Sequence, residues 1–366
     1  MSQPQDTRFM ALALSLGARG QGRTWPNPSV GCVIVKDGRI LGRGWTGPGG
    51  RPHAEVVALE QAGGAACGAT AYISLEPCAH HGKTPPCAEA LIAAGIVRVV
   101  TALTDPDPRV CDAGHAMLRA AGIAVTTGVL EAEARAAHRG FLLSRTAGRP
   151  AVTLKLAASF DGRIATASGE SRWVTAPEAR KMVHALRARH DAVMVGGGTA
   201  RADDPLLTVR GLGIRHQPVR VICARRLDLP AEGHLAGSLD SAPLWLCHGS
   251  SAPGAACEFW RERGARLLPV ATGGDGQLDP AEILQTLGQA GLTRVFCEGG
   301  GVFAAALLSA GLVDDLVGFT AGVVFGAEGH PSLGAMGVTS LCKAPRFRLV
   351  DVHALGPDIL HVWTRD

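Results

Sequence analysis

Short apolar runs alternate with helical segments along the first part of the chain. Runs such as 71–75 and 97–100 have the length and composition of buried strands. A further strand is predicted over 30–35, and helices over 53–62, 87–94, 112–121 and 131–144. The Asp37-Gly38 pair that follows the strand at 30–35 is a hairpin signal. This alternation predicts a layered α/β domain.

A second α/β pattern begins after the Gly and Pro residues of 146–150, which predict a domain boundary. The chain has 366 residues and exceeds one typical domain. Two domains are therefore expected, 1–148 and 149–366. The second opens with a predicted strand at 151–156, and a later strand at 295–297 precedes a glycine turn and a helix at 302–310. No recognisable motif marks 211–290.

Two features of the second domain indicate a binding cleft. Lys155 interrupts an apolar strand, where a lysine is costly unless its ammonium reaches solvent or an anion. The turn at 298–301 contains three glycines before a predicted helix, so backbone N–H groups at the helix N-terminus are able to bind a pyrophosphate. A tight turn that only permits close backbone approach is the alternative. No G-x-G-x-x-G opens a βαβ unit, so a Rossmann-type site has no support.

Composition excludes several classes of protein. A net charge of +4 and a single Tyr argue against a nucleic-acid binder. The N-terminus reads as an amphipathic helix and not as a signal peptide, and no apolar run approaches the length that spans a bilayer. Apart from Cys78 and Cys87, the ten cysteines show no paired spacing. We therefore expect a reducing, cytoplasmic location with no membrane partner.

The pattern His53-Ala54-Glu55, then Pro77-Cys78, then Cys87 carries the most specific chemistry in the chain. One imidazole and two thiolates suit Zn²⁺, and three protein ligands leave the fourth tetrahedral position open for a water. Glu55 is not needed as a ligand and is predicted to be the general acid/base, as in zinc nucleobase deaminases. Cys87 lies at a predicted helix N-terminus, which favours its thiolate. His53 and Glu55 are two residues apart, so both reach one ion only if it lies over a helix end.

The residues alone leave open two interpretations in which this pattern has no catalytic role. The cysteines and the histidine are compatible with ordinary buried positions. A structural zinc site is the other alternative, with His80, His81 or Glu55 as its fourth ligand.

The first 150 residues also resemble a known family, on the segments TAYISLEPCAHHGKTPPCAEALIAAG (70–95), NPSVG (27–31) and PHAE (52–55). They are similar to the deaminase domain of the bifunctional riboflavin-biosynthesis deaminase/reductases, with a cytidine-deaminase-like fold. The eight residues between Cys78 and Cys87 replace the two of the shorter nucleobase-deaminase signature. The resemblance implies that Asn27, His80 and Lys83 bind a phosphorylated pyrimidine, 2,5-diamino-6-ribosylamino-4(3H)-pyrimidinone 5′-phosphate. Taken alone, Lys83 is equally well an ordinary solvated lysine.

The second domain resembles the reductase domain of the same family, which has a dihydrofolate-reductase-like fold. The matching segments are KLAASFDGRIATASGESRW (155–173), GGGTARADDPLLTVR (196–210) and FCEGGGVFAAALLSAGLVDDL (296–316). The resemblance implies NADPH contacts from Ala157, Trp173, Thr199, Asp203, Gly300 and Gly301. It implies substrate contacts from Ser171, Arg187, Leu207, Arg210 and Glu298, and Lys155 with Glu298 is a candidate for polar contacts to the sugar. The alternatives without a ligand contact are a solvated helix arginine at 187 and a simple turn at 203–205.

Together these features predict a bifunctional riboflavin-pathway enzyme. Its first domain is expected to deaminate the pyrimidine with one Zn²⁺, and its second to reduce the ribosyl group to a ribityl chain with NADPH. Members of the family are often oligomeric, so a homo-oligomer is compatible with the resemblance. A nucleic-acid editing deaminase and a non-catalytic zinc-stabilised binding protein are the competing hypotheses.

Overall fold

The computed structural model describes residues 4–81, 85–107 and 111–365. These residues form two compact units, one ending at Gly148 and the other beginning at Arg149. Each unit contains one main sheet with helices, as the alternating sequence pattern predicts.

The sheet of the N-terminal unit has five strands in the order β2-β1-β3-β4-β5. Its strands are β1 (Gly31–Lys36), β2 (Arg39–Trp45), β3 (Thr70–Ile73), β4 (Arg98–Thr101) and β5 (Ala124–Thr126). Its helices are α1 (Pro4–Gly17), α2 (Ala54–Ala62), α3 (Cys87–Ala93), α4 (Ala113–Ala120) and α5 (Glu131–Thr146). The strand β1 pairs antiparallel with β2 and β3, whereas β3, β4 and β5 run parallel. The segments that follow β3 and β4 therefore leave the sheet at the same edge, where ligands of α/β proteins commonly bind.

The predicted hairpin between β1 and β2 is confirmed. Lys36 pairs with Arg39, which leaves Asp37 and Gly38 as the two turn residues. Their φ angles are 50° and 73°, in the left-handed region that a type I′ turn requires. The turn fixes the register of a strand pair whose inner residues are completely buried.

Helix α2 packs directly against the backbone of β2. A methyl group added at Gly44 would overlap the carbonyl oxygen of Ala54, and one at Gly42 would overlap that of Ala58. Only glycine permits this approach of helix to strand. The close packing sets the position of the first turn of α2, which carries Glu55.

A buried ion pair joins α1 to β4 in this unit. The guanidinium of Arg98 donates to both oxygens of Asp6, at 2.9 and 2.8 Å, and Tyr72 Oη donates to Asp6 Oδ1 at 2.9 Å. Asp6 is 3% exposed. The arginine lowers the pKa of Asp6 more than burial raises it, so the carboxylate is charged and satisfied.

The C-terminal unit contains a nine-stranded sheet in the order β11-β10-β9-β8-β12-β6-β13-β16-β15 and a two-stranded ribbon of β7 and β14. Its strands are β6 (Ala151–Ser159), β7 (Arg163–Ala165), β8 (Ala192–Gly196), β9 (Val219–Cys223), β10 (Leu244–His248), β11 (Arg266–Pro269), β12 (Arg294–Gly299), β13 (Asp315–Ala321), β14 (His330–Pro331), β15 (Arg348–Leu355) and β16 (Asp358–Thr364). Its helices are α6 (Pro177–Arg187), α7 (Gly197–Asp203), α8 (Gly254–Glu262), α9 (Pro280–Gln289) and α10 (Gly301–Ser309). The strands from β11 to β13 are parallel, and β16 and β15 complete the sheet antiparallel.

The region 211–290, which carries no motif, supplies three of the parallel strands and two helices. Its strands β9 and β10 are almost entirely buried. Buried parallel strands are short continuous apolar runs without alternation, so they give no periodic signal in the sequence.

Among the described residues, no helix is long and apolar enough to cross a membrane.

We expect Gly44→Ala to lower the free energy of unfolding by about 2 kcal/mol, because the methyl group forces α2 away from β2. Urea unfolding measures this change. Gly64→Ala is the matched control, since a methyl group there meets nothing within 4 Å. Equal stability of the two variants would contradict the packing described for α2.

Candidate active sites

Three side chains converge in the N-terminal unit on a volume the size of a metal ion. The ligand atoms of His53, Cys78 and Cys87 all lie within 4.8 Å of one another. His53 Nδ1 is 3.2 Å from Cys87 Sγ and 3.7 Å from Cys78 Sγ. Tetrahedral Zn²⁺ with ordinary bond lengths separates a nitrogen from a sulfur ligand by about 3.6 Å. The three residues therefore fit a zinc ion in both ligand type and spacing.

Each ligand is placed by the end of a secondary-structure element. His53 is the N-cap of α2 with extended backbone, Cys78 follows β3, and Cys87 is the first residue of α3. The backbone N–H of Cys87 donates to Cys78 Sγ at 3.3 Å, and that of Ala88 donates to the Cys78 carbonyl at 3.2 Å. The N-terminus of α3 is thus directed at Cys78 and stabilises its thiolate.

The two sulfurs have opposite proton affinities in the metal-free chain. The pKa of Cys78 falls to about 4, chiefly because the Cys87 thiol donates to it, with His53 adding to the effect against the opposing influence of burial. The pKa of Cys87 is raised because Cys87 keeps the proton that it shares with Cys78. A divalent cation between the sulfurs removes this need for a shared proton.

Glu55 lies in the first turn of α2 and is 4% exposed. Burial raises its pKa to about 7. A carboxyl group with a pKa near neutrality is suited both to accept and to donate a proton. Among the described residues the metal-ligand group contains His53, Cys78 and Cys87 and not Glu55, so the carboxylate is available for proton transfer.

The structure also bears on the proposed fourth ligands. His81 is exposed and its Nε2 lies 3.0 Å from Glu89 Oε1. His80 is exposed and lines the neighbouring cavity, and neither histidine belongs to the described ligand group. The described ligand group thus has three members, and a tetrahedral zinc ion held by them would keep its fourth position for a water, as in catalytic zinc sites.

A cavity of about 390 Å³ opens beside the three ligands. Asn27, Glu55 and His80 line it, as the sequence interpretation requires, whereas Lys83 lies outside the described residues. The wall also contains residues that the sequence analysis did not single out as site residues: Thr46, Arg51, Glu76, Asp105, Asp107, Phe141 and Arg145.

Two acidic residues of this wall, Asp105 and Asp107, come from the segment after β4. The backbone N–H of Asp107 donates to Asp105 Oδ1 at 2.9 Å, so this segment forms an Asx-type turn. Burial, with Glu76 and Asp107 nearby, raises the pKa of Asp105. Its position after a parallel strand adjacent to β3 is the signal that could have identified it as part of the site.

In the C-terminal unit, Arg187 and Glu298 form a buried ion pair. Arg187 Nε and Nη2 donate to the two oxygens of Glu298 at 2.5 and 3.0 Å, and Arg187 Nη1 donates to the Thr208 carbonyl at 2.8 Å. Burial alone would raise the pKa of Glu298, but Arg187 and Lys155 lower it below its ordinary value. Arg187 is therefore not a solvated helix arginine.

Lys155 lies beside this pair at the parallel contact of β6 and β12, where Leu154 is in register with Cys297. Burial lowers the pKa of Lys155, while the negative charges of Glu298 and Asp203 oppose that effect. Of the two alternatives that the sequence left for Lys155, solvent or an anion, the nearby charges of Glu298 and Asp203 favour the anion.

His184 is a further member of this cluster that sequence analysis missed. Its Nδ1 lies 3.1 Å from the Thr208 carbonyl and 3.3 Å from the backbone nitrogen of Arg210. Burial lowers the pKa of His184, and the positive charges of Arg187 and Arg210 lower it further. Its spacing of three residues from Arg187 on α6 is a signal that could have found it.

The other expected reductase residues fall into two groups. Thr199 Oγ1 donates to the Gly299 carbonyl at 3.3 Å, and a methyl group at Gly300 would collide with Thr199. Gly301 begins α10 and accepts the backbone N–H of Gly334 at 2.9 Å. The remaining four residues do not share one cluster. Ala157 is half-buried on β6, and Leu207 is buried with a φ of 53°. Ser171 is exposed, and Trp173 is 69% exposed with the Arg180 guanidinium 4.6 Å from the centre of its ring.

The fold and the two clusters define a class of protein, a zinc-deaminase-type domain followed by a reductase-type domain. Family models agree with this division. The cytidine and deoxycytidylate deaminase zinc-binding region matches residues 3–103, and the RibD C-terminal domain matches residues 150–361.

The chain belongs to the RibD family. It is 41% identical to riboflavin biosynthesis protein RibD of Escherichia coli, over 98% of this chain and 99% of that protein. It is similar to the solved structure of Acinetobacter baumannii RibD, form 1, with a TM-score of 0.87 and 39% identity over 98% of both chains. The Thermotoga maritima diaminohydroxyphosphoribosylaminopyrimidine deaminase/5-amino-6-(5-phosphoribosylamino)uracil reductase gives a TM-score of 0.84 at 33% identity over 99% of both chains. The family resemblance and the predicted fold class are confirmed.

We expect Glu298→Gln to lower the free energy of unfolding by about 3 kcal/mol, because it leaves the Arg187 guanidinium without its buried counter-charge. Asp228→Asn is the matched control. It removes an exposed ion pair with Arg201 and should cost less than about 1 kcal/mol. Urea unfolding compares the two variants, and an equal loss would refute the buried pairing.

Proposed function

We propose that the N-terminal unit deaminates 2,5-diamino-6-ribosylamino-4(3H)-pyrimidinone 5′-phosphate and that the C-terminal unit reduces the ribosyl group of the product with NADPH. The observation that carries the proposal is the convergence of His53, Cys78 and Cys87 beside a buried Glu55 that is not a ligand. The names of the relatives support the choice of the riboflavin pathway and of the substrate. The arrangement of the four side chains supports hydrolytic deamination with a metal ion.

In the deaminase half, His53, Cys78 and Cys87 would hold the ion. Zinc, when bound, supplies a water of lowered pKa at the open position. With the ion in place, the carboxylate of Glu55 would accept a proton from that water and pass it to the leaving amine. The ring carbon would gain the water oxygen and lose ammonia. Glu55 is 4% exposed, so little of its side chain is open to bulk water.

The cavity beside the ligands is proposed to bind the substrate. Its volume of about 390 Å³ is in the range of small-molecule pockets. Asn27 offers an amide to the pyrimidine ring, and His80 and Lys83 are proposed to face the phosphate. Arg51 and Arg145 in the cavity wall add positive charge for an anionic substrate.

In the reductase half, a nicotinamide cofactor supplies the hydride. Lys155 and Glu298 are proposed to contact the sugar, with Arg187, Arg210, Leu207 and Ser171 completing the substrate site. Backbone N–H groups at Gly300 and Gly301, at the start of α10, would bind the cofactor phosphates. The remaining cofactor contacts are assigned to Ala157, Trp173, Thr199 and Asp203.

The setting of the enzyme follows from the same chemistry. A reducing cytoplasm keeps Cys78 and Cys87 available as thiolates. The net charge of +4 fits a small anionic substrate and gives no support to a nucleic-acid partner. A homo-oligomer stays a prediction.

Two substitutions should separate the activities. Glu55→Gln is expected to lower ammonia release by about 10²- to 10⁴-fold while zinc stays bound, because it removes only the proton carrier. Lys155→Met is expected to lower NADPH oxidation by roughly ten- to hundredfold through loss of a charged contact. Each variant should leave the other activity intact when that half receives its own substrate.

The measurements are ammonia release from the diamino substrate, the absorbance of NADPH with the deaminated product, and zinc per chain. The unaltered chain should contain one zinc. Ammonia release at the unaltered rate by Glu55→Gln would remove the proposed mechanism, and a zinc-free, fully active chain would remove the metal.

A chelator should abolish ammonia release and leave NADPH oxidation unchanged, since the ligand group lies wholly within the N-terminal unit. Dialysis against the chelator, followed by addition of Zn²⁺, tests this. Parallel loss of both activities that zinc does not restore would show that the chelator acted on the fold.

A further inference from the structure

Glu76 is a buried carboxylate that faces the deaminase site without being a metal ligand. Its side chain is completely buried. Glu76 Oε2 accepts the backbone N–H groups of Asp105 at 3.0 Å and Asp112 at 3.1 Å. Glu76 Oε1 accepts those of Gly114 at 2.9 Å and His115 at 3.4 Å. Two carboxylate oxygens offer about four acceptor sites, so these donors use the whole capacity of the group.

The four donors belong to two separate segments of the unit. Asp105 lies in the turn after β4 that forms part of the cavity wall. Asp112, Gly114 and His115 form the start of α4, whose N-terminal dipole favours a negative charge at this point. One carboxylate thus joins the segment before Cys78 to the cavity turn and to a helix N-terminus.

A second contact fixes the residue between Glu76 and Cys78. A methyl group added at Gly114 would overlap the carbonyl oxygen of Pro77. The first turn of α4 therefore touches the backbone immediately before the ligand. Both constraints act on the two residues that precede Cys78, and Cys78 in turn accepts the N–H of Cys87.

We propose that Glu76 is a positioning residue of the deaminase centre. By holding the 76–78 segment against α4, it sets the direction of Cys78 Sγ and keeps the ligand triad formed before metal arrives. The same carboxylate holds Asp105 at the cavity wall. Because its oxygens are occupied by backbone donors, Glu76 acts through Cys78 and Asp105 and not on the substrate itself. This role rests on the proposed zinc-deaminase function.

Glu76→Gln tests the proposal in the full chain. The NH₂ group of the glutamine would face two backbone N–H donors, so hydrogen bonds to the Asp105 turn or to the start of α4 must break. Groups that orient metal ligands typically change metal affinity by 10- to 100-fold, and we expect a loss of zinc affinity of about that size. Competition with a chromophoric chelator measures the zinc dissociation constant. The visible spectrum of the Co²⁺-substituted chain, which reports ligand geometry, should shift.

Asp6→Asn is the matched control. Asp6 is also a buried, fully hydrogen-bonded carboxylate of the same unit, but its partners are Arg98 and Tyr72. This variant should lose stability while zinc affinity and the cobalt spectrum stay unchanged. Glu76→Gln with a zinc affinity within twofold of the unaltered chain and the same cobalt spectrum would overturn the positioning role.

A second variant guards against a failure of Glu76→Gln to fold. Gly114→Ala leaves Glu76 in place and pushes α4 away from Pro77, so it should shift the cobalt spectrum in the same way. If neither variant folds while Asp6→Asn does, Glu76 serves the fold and the positioning role is refuted. If the unaltered chain binds no zinc, the deaminase function falls and this role with it. If the unaltered chain binds zinc and Glu76→Gln shows the same zinc affinity and cobalt spectrum, only the positioning role is overturned.

Discussion

The crowding of acidic groups in a small, buried volume is the constraint on which the N-terminal unit depends. Cys78, Cys87, Glu55 and Glu76 lie close together at this site, and burial raises the pKa of Glu55 to about 7. Three helices begin at this point. Glu55 lies in the first turn of α2, Cys87 begins α3, and Glu76 accepts N–H groups from the start of α4. Helix N-termini favour the ionised forms of these groups, and a divalent cation held by His53, Cys78 and Cys87 would add to that effect.

In the C-terminal unit the concentrated charge is positive, and it again lies at a parallel sheet. Lys155, Arg187 and Arg210 bring positive charge to the edge of a parallel sheet, and Glu298 is the buried counter-charge between them. The strand order places β12 between β8 and β6, so residues at the ends of these strands share one edge. An ion pair of this kind is costly to bury unless further hydrogen bonds satisfy it, and Arg187 also donates to the Thr208 carbonyl.

Local signals in the sequence predicted that His53, Cys78 and Cys87 form one cluster, and they identified the Asp37-Gly38 turn and the isolated charge of Lys155. Each depends on residue type and short spacing, which a single sequence displays directly. The partner of Lys155 could not be read in this way, because Glu298 lies on β12, far along the chain. Asp105 was not among the residues singled out from the sequence, because its place in the cavity depends on which strand β4 pairs with. Glu76 gave no signal, because its hydrogen-bond donors are backbone N–H groups from segments far along the chain.

The account depends most on a metal held by three protein ligands with one position open. Diffraction data collected at the zinc absorption edge would locate the ion and its fourth ligand directly. The account predicts one anomalous peak about 2.0–2.3 Å from His53 Nδ1, Cys78 Sγ and Cys87 Sγ, with a water as the fourth ligand. A fourth protein ligand such as His80 or Glu55, or a peak elsewhere in the chain, would contradict it.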